Sequence, residues 1–177
     1  MVAFFAIVFG IVFVDQLTKW LAVIFLKGES SFYIINNVLR FTYVENPGAA
    51  FGMLADNRWV FLVISTVMIA AFTFYMFKYR PKNKWAYVSC AFIVGGGIGN
   101  MIDRTLLGYV IDFIDFCAFP KVWKFVFNVA DSFVCIGAGI LMVYLVSSMI
   151  KEEKEAKLAK KAAVETQTTE NEDGKDE

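Results

Sequence analysis

Histidine is missing from the 177-residue sequence altogether. Its absence excludes a Ser-His-Asp triad, a Cys-His pair and an HExxH zinc site, so any chemistry falls to carboxylates, lysines and cysteines. Cysteine is scarce. Cys90, Cys117 and Cys135 show no ligand spacing, and Cys90 and Cys135 fall in apolar stretches where the usual role is a small buried hydrophobe. Neither a metal, a cofactor nor an essential disulfide is expected. Net charge is lacking too, since 17 basic residues balance 17 acidic ones. The balance hides a split: residues 1–150 lean basic and the tail leans acidic, and neither part has the look of a nucleic-acid binder. The N-terminus has no basic n-region and no small-x-small cleavage site. Its apolar stretch is interrupted by Asp15, Gln16, Thr18 and Lys19, so it is expected to be retained rather than removed as a secretory signal.

Apolar residues are what the chain has in excess. At 58% hydrophobic, 19% charged and a mean hydropathy of +0.57, the composition is that of a polytopic membrane protein. Windows long enough to cross a hydrocarbon core fall at 4–26, 59–77, 85–102 and 130–150. The expected fold is therefore mainly α, with four transmembrane helices in a membrane domain over 1–150. Short loops rich in Lys and Arg stay on the cytoplasmic side. KYRPKNK, with Lys78, Arg80, Lys82 and Lys84, places the second connection inside, and the lysines that open the tail agree. Both termini are then cytoplasmic, the connections after the first and third helices are external, and Trp59 and Trp85 stand as interface anchors. In the tail, 151–177, KEEKEAKLAKKAAV is able to extend the fourth helix through pairs such as Glu153 and Lys157; ETQTTENEDGKDE is polar enough to be disordered.

The first external connection alternates Leu39, Phe41 and Tyr43 with Arg40, Thr42 and Val44, with Asn36 and Asn37 at a turn, which predicts a small β-hairpin. It runs into Asn46-Pro47-Gly48-Ala49-Ala50-Phe51-Gly52, which reads equally as a plain turn or as a low-bulk wall beside an extended peptide. VGGGIGNMIDR lacks a preceding strand and a full GxGxxG, so its glycines point to helix packing, Gly95 and Gly99 forming a small-xxx-small pair. With this topology Lys19, Asn100, Arg104 and Asp131 lie in the outer half of the membrane, and the loop GYVIDFIDFCAF adds Asp112 and Asp115 on the same side. Two carboxylates in an apolar setting tend to share one proton, and such a pair can activate water. Position alone does not choose the pair. Asp103 paired to Arg104 or another cation, and Asp112 and Asp115 facing water in a loop, are equally consistent with it.

DQLTK (Asp15 to Lys19), NPGAAFG, GGGIGNMIDR, YVIDF and FNVADS together, in this order and spacing over residues 1–150, closely resemble the motifs of lipoprotein signal peptidase, also called signal peptidase II. The resemblance implies a membrane aspartic endopeptidase of the bacterial inner membrane. Such an enzyme removes signal peptides from prolipoproteins just before a diacylglyceryl-modified cysteine and works near the outer face. By motif, the catalytic aspartates are Asp112 and Asp131. Asp15, Lys19, Asn46, Gly48, Asn100, Arg104 and Asn128 shape the site, while Asp103 and Asp115 are set aside. The implied partners are the lipid-modified prolipoprotein and membrane lipids, with a monomer as the working unit. Two other classes, a small proton-coupled transporter and a non-enzymatic assembly subunit, use similar intramembrane polar groups. The absence of an evident internal repeat argues against the transporter.

Overall fold

The computed structural model describes residues 1–48, 58–119 and 125–173. In chain order the elements are α1 (Val2–Leu26), β1 (Phe32–Ile35), β2 (Leu39–Asn46), α2 (Arg58–Tyr79), α3 (Lys84–Leu106), β3 (Val110–Phe116), β4 (Val126–Phe127) and α4 (Val129–Asp173). All four helices are long and apolar enough to cross a membrane. Two compact units divide the chain. Met1–Ile140 holds α1, α2, α3, the sheet and the first turns of α4, and Leu141–Glu177 holds the remainder.

In the first unit α3 is the central helix. More than half of its span, 56%, is buried, against 28% for α1 and 6% for α2. Its N-terminus is fixed by Asn83, whose side chain accepts from the backbone N–H groups of Trp85 and Ala86, satisfying two donors that a helix start leaves orphaned. The glycines predicted to serve packing do so on several sides. A methyl group on Gly95 would press on Ile11 and one on Gly99 on Asp15, both of α1, while one on Gly96 would run into the Ala130 carbonyl of α4. Small residues admit these backbones, and dispersion contact rather than water exclusion holds them in lipid. Phe4, Val8, Met76, Cys90, Ala91 and Val94 form the buried cluster among α1, α2 and α3. Phe5, Phe9, Phe13, Trp20 and Ile24 of α1 point outward, where a bilayer rather than water surrounds a spanning helix.

The predicted hairpin is present as β1 and β2, with Asn37 at φ 60 in the connecting turn, a left-handed conformation that asparagine tolerates. It is half of a larger element. β3 and β4, in the segment read from sequence as a loop, complete a four-stranded antiparallel sheet in the order β1-β2-β3-β4. Phe41 opposes Ile114 and Val44 opposes Asp112, so β2 carries one extra residue there, a bulge that leaves β3 regular. Ala22, Ile111 and Phe113, with Val23, Leu26, Phe41 and Tyr43 packed around them, join the sheet to the end of α1.

Several expectations change. The connection after α3 contains strand, so Asp112 and Asp115 do not sit in a loop. Cys90 is buried as predicted, but Cys135 is exposed, because it borders an open cleft beside the first turns of α4. α4 continues to Asp173, past 164 and into the polar segment whose composition predicts disorder; pairs at i, i+4, Lys151 with Glu155 at 3.8 Å and Glu153 with Lys157 at 2.6 Å, support its exposed turns. Residues 49–52 of the NPGAAFG motif lie outside the described residues.

Candidate active site

A strand turns alternate side chains to opposite faces, so residues three apart, such as Asp112 and Asp115, separate. Asp115 pairs with Arg40 across the β2–β3 ladder, with its carboxylate 2.6 Å from Nε. Asp112 turns the other way and is 1% exposed. There its Oδ2 accepts from Asn46 Nδ2 at 2.8 Å and its Oδ1 from Asn128 Nδ2 at 2.7 Å.

The start of α4 brings the second carboxylate to the same place. Asn128 stands immediately before the helix, and its Oδ1 accepts the backbone N–H of Asp131 at 2.9 Å while Asp131 Oδ2 accepts the backbone N–H of Asn128 at 3.3 Å. This reciprocal cap uses up two orphan donors and fixes a carboxylate at the positive end of the helix dipole. Because the amide that caps α4 also donates to Asp112, one side chain ties the two aspartates together. Asn100 of α3 donates to Asp131 Oδ1 at 2.7 Å. Its own oxygen accepts from Lys19 at 2.9 Å and from Asn128 at 3.0 Å.

Beneath this pair Lys19 is 2% exposed and directs its ammonium at three groups: Asn100, Asp15 at 2.9 Å and Asp103 at 2.8 Å. Three donors thus meet three acceptors, the full capacity of an ammonium. Asp15 has a second task, accepting the Ala130 backbone N–H at 2.9 Å, another orphan donor of the first turn of α4. Gly48, at φ +103, donates its N–H to Asn46 Oδ1 at 2.9 Å, so the tight turn holds the Asn46 amide toward Asp112. Arg104 stacks its guanidinium over the Phe61 ring at 5.3 Å. Its buried Nε has no hydrogen-bond partner among the described residues.

Asp112 and Asp131 line one cleft of about 490 Å3, with Asn46, Ser132 and the apolar Phe125, Val126, Phe127 and Val134 around them. Burial, with a smaller contribution from the charge of Asp131, pushes the Asp112 carboxyl up to about 6, against the opposing hydrogen bonds of Asn46 and Asn128 and the charge of Lys19. A carboxyl in this range is able to hold or release a proton near neutrality.

Residues 7–147 match the family described as signal peptidase (SPase) II. The chain belongs to the signal peptidase II family. Among curated relatives, a lipoprotein signal peptidase of Caldanaerobacter subterraneus subsp. tengcongensis is 47% identical, covering 78% of this chain and 94% of that one. Another, of Halalkalibacterium halodurans, is 37% identical over 90% of this chain and 99% of that one. Among solved structures, a bacterial membrane enzyme determined in meso at 2.3 Å superposes with a TM-score of 0.76 at 31% identity, covering 84% of this chain and 90% of that one. This signal peptidase II family member is thus a multi-pass membrane peptidase.

Of the site residues expected from sequence, the signal peptidase II chain brings Asp112, Asp131, Asn46, Asn100 and Asn128 into direct contact, with Lys19 and Gly48 one bond further out and Asp15 bonded to Lys19. Arg104 joins them by charge rather than by hydrogen bond. Two residues outside that set belong to the same network. Gln16 donates to Asp103 Oδ1 at 2.9 Å, and Asp103 takes Lys19 rather than Arg104 as its cation. The signal for Gln16 was its place inside an apolar span; its partner, 87 positions away, is not readable from spacing.

Proposed function

We propose that this chain is an aspartic endopeptidase that removes signal peptides from bacterial prolipoproteins, cutting before a diacylglyceryl-modified cysteine, with Asp112 and Asp131 as the reacting pair. The observation that carries this reading is the cleft they share, with Asn128 bonded to both. One carboxylate, ionised, takes a proton from water as the water oxygen adds to the scissile carbonyl carbon. The other, protonated, donates to the carbonyl oxygen. Collapse of the tetrahedral intermediate returns that proton to the second carboxylate, while the first donates to the departing nitrogen, so the pair ends as it began. Asn46, Asn100 and Asn128 orient the carboxylates. Lys19 and Asp15 hold Asn100 and the start of α4 in turn, and Arg104 contributes positive charge beside the pair.

The basic 78–84 connection supports a cytoplasmic placement of both termini, with the cleft near the outer face, where a lipid-bearing cysteine is presented. The apolar cleft wall suits an extended segment entering from the bilayer. Purified protein in lipid vesicles, given a synthetic prolipoprotein with and without the S-diacylglyceryl group, tests the reading by mass spectrometry. Scission of the lipidated form alone, immediately before the modified cysteine, is expected. Equal cutting of the unlipidated form, or no cutting of either, would overturn the proposed specificity or the proposed activity respectively.

A further inference from the structure

We infer that Asp103, together with Gln16, is a positioning device for the reacting pair rather than a spare carboxylate. The inference rests on Asp112 and Asp131 being that pair. Asp103 touches neither of them. It sits in the last turn of α3, is 3% exposed, and its two oxygens gather donors from two other elements. Oδ1 accepts Gln16 Nε2 of α1 at 2.9 Å. Oδ2 accepts the backbone N–H of Ile111 in β3 at 3.1 Å and the Lys19 ammonium at 2.8 Å.

Ile111 immediately precedes Asp112. Its N–H is held by Asp103, and its carbonyl accepts Asn128 Nδ2 at 3.4 Å, so the backbone leading into Asp112 is gripped from α3 on one side and from the cap of α4 on the other. The connection that the grip spans is short and sharply turned. Leu107 N–H closes α3 on the Asp103 carbonyl at 2.7 Å, and Gly108 at φ +87 reverses the chain. Through Lys19 the same carboxylate also reaches Asn100, which donates to Asp131. One buried anion thus fixes both halves of the pair, and Gln16, which also bonds the Gly99 carbonyl at 3.2 Å, fixes the anion. An unpaired ammonium and an unpaired backbone N–H at this depth would each be costly, which gives the arrangement its rigidity.

The test uses the full chain in vesicles with a lipidated prolipoprotein, comparing wild type, Asp103→Asn, Gln16→Met, the double variant and Asp112→Asn. Asp103→Asn removes the negative charge and turns an NH2 donor either toward Gln16 or toward Ile111 and Lys19, which are donors themselves, and is expected to lower kcat roughly 10- to 100-fold while KM stays within about twofold, since misplacement by an ångström costs that much. Gln16→Met, which spares the Lys19 contact, lowers kcat less and serves as the readout if Asp103→Asn fails to fold. The double variant should lose less than the product of the two single losses, because Gln16 acts in part through Asp103 and otherwise through its bond to Asp15 Oδ2 at 3.3 Å. A lower melting temperature with unchanged kcat per folded enzyme, or losses that multiply in the double variant, would overturn the inference. Asp112→Asn separates the layers. If it is inactive while Asp103→Asn keeps its kcat, only the positioning role falls; if it cleaves normally, the proposed reaction falls first.

Discussion

Asn128 concentrates more of the site in one side chain than any aspartate does. Its oxygen caps α4, its nitrogen serves Asp112, and its backbone N–H serves Asp131. Of the two carboxylates Asn46 bonds Asp112, its oxygen being taken by the Gly48 N–H, and it offers a cleaner experiment. A hydrogen bond donated to an ionised carboxylate favours the ionised form, so Asn46 opposes the burial that holds Asp112 near 6. Removing it in Asn46→Ala should raise the value further and move the alkaline limb of the kcat/KM profile to higher pH. A limb that stays or falls would show that the bond does not control the reacting carboxyl. Lys19 gives a second test. Lys19→Met leaves Asp15 and Asp103 both buried without their cation and should cost about 3–5 kcal/mol of stability, read as a lower melting temperature in a fixed detergent. Replacing Asp15 with Leu as well should restore only part of the loss, because Asp15 also accepts the Ala130 N–H. Equal melting temperatures for Lys19→Met and wild type would argue against the pair.

At the scale of elements, the difference between what the sequence revealed and what it hid has a physical cause. The helices were legible because a run of about 20 apolar residues has no other economical structure in a bilayer. β1 and β2 were legible because Leu39 to Val44 alternates. In β3, Val110, Ile111, Asp112 and Phe113 are all buried, and a strand covered on both faces shows no alternation to read. That one omission left Asp112 and Asp115 indistinguishable by position, since only the two-residue period of a strand sends them to opposite faces. The motifs separated them where periodicity was silent. α3 shows the reverse case, in which a packing role was visible but its directions were not. Gly96 abuts the Ala130 carbonyl two residues after Asn128. Gly96→Val should therefore push the start of α4 away, destabilising by about 1–3 kcal/mol and lowering activity, whereas Gly139→Ala, with open space around it, should leave both unchanged. Thermal unfolding and cleavage rates of the two variants check the contrast, and equal behaviour would show that the contact does not set the position of α4.

For the whole molecule, every residue assigned to the cleft falls within Met1–Ile140, and the tail belongs to the other unit. Truncation after Lys161 removes only the acidic, polar end and keeps the five lysines between 151 and 161 that favour a cytoplasmic placement. Cleavage of a lipidated prolipoprotein, normalised to inserted enzyme, should be unchanged. A large loss of specific activity would show that the segment past 161 contacts the catalytic unit or a required partner. How far α4 extends was the least legible feature of the architecture. An exposed helix of Lys, Glu and Ala carries no burial pattern, and its boundary depends on side-chain pairs worth only tenths of a kcal/mol each.

On the proposed mechanism two particular carboxylates, out of the five aspartates Asp15, Asp103, Asp112, Asp115 and Asp131 gathered at one end of the sheet and helices, exchange the proton. Specific activity of Asp112→Asn, Asp131→Asn and Asp115→Asn, measured side by side in the same membranes on a diacylglyceryl-modified prolipoprotein, tests it most directly. An amide keeps the size of the side chain but cannot cycle a proton, so Asp112→Asn and Asp131→Asn should be inserted, folded and inactive, while Asp115→Asn, which loses only its pairing with Arg40, should retain substantial activity. Wild-type cleavage by Asp131→Asn, or inactivity confined to Asp115→Asn, would contradict it.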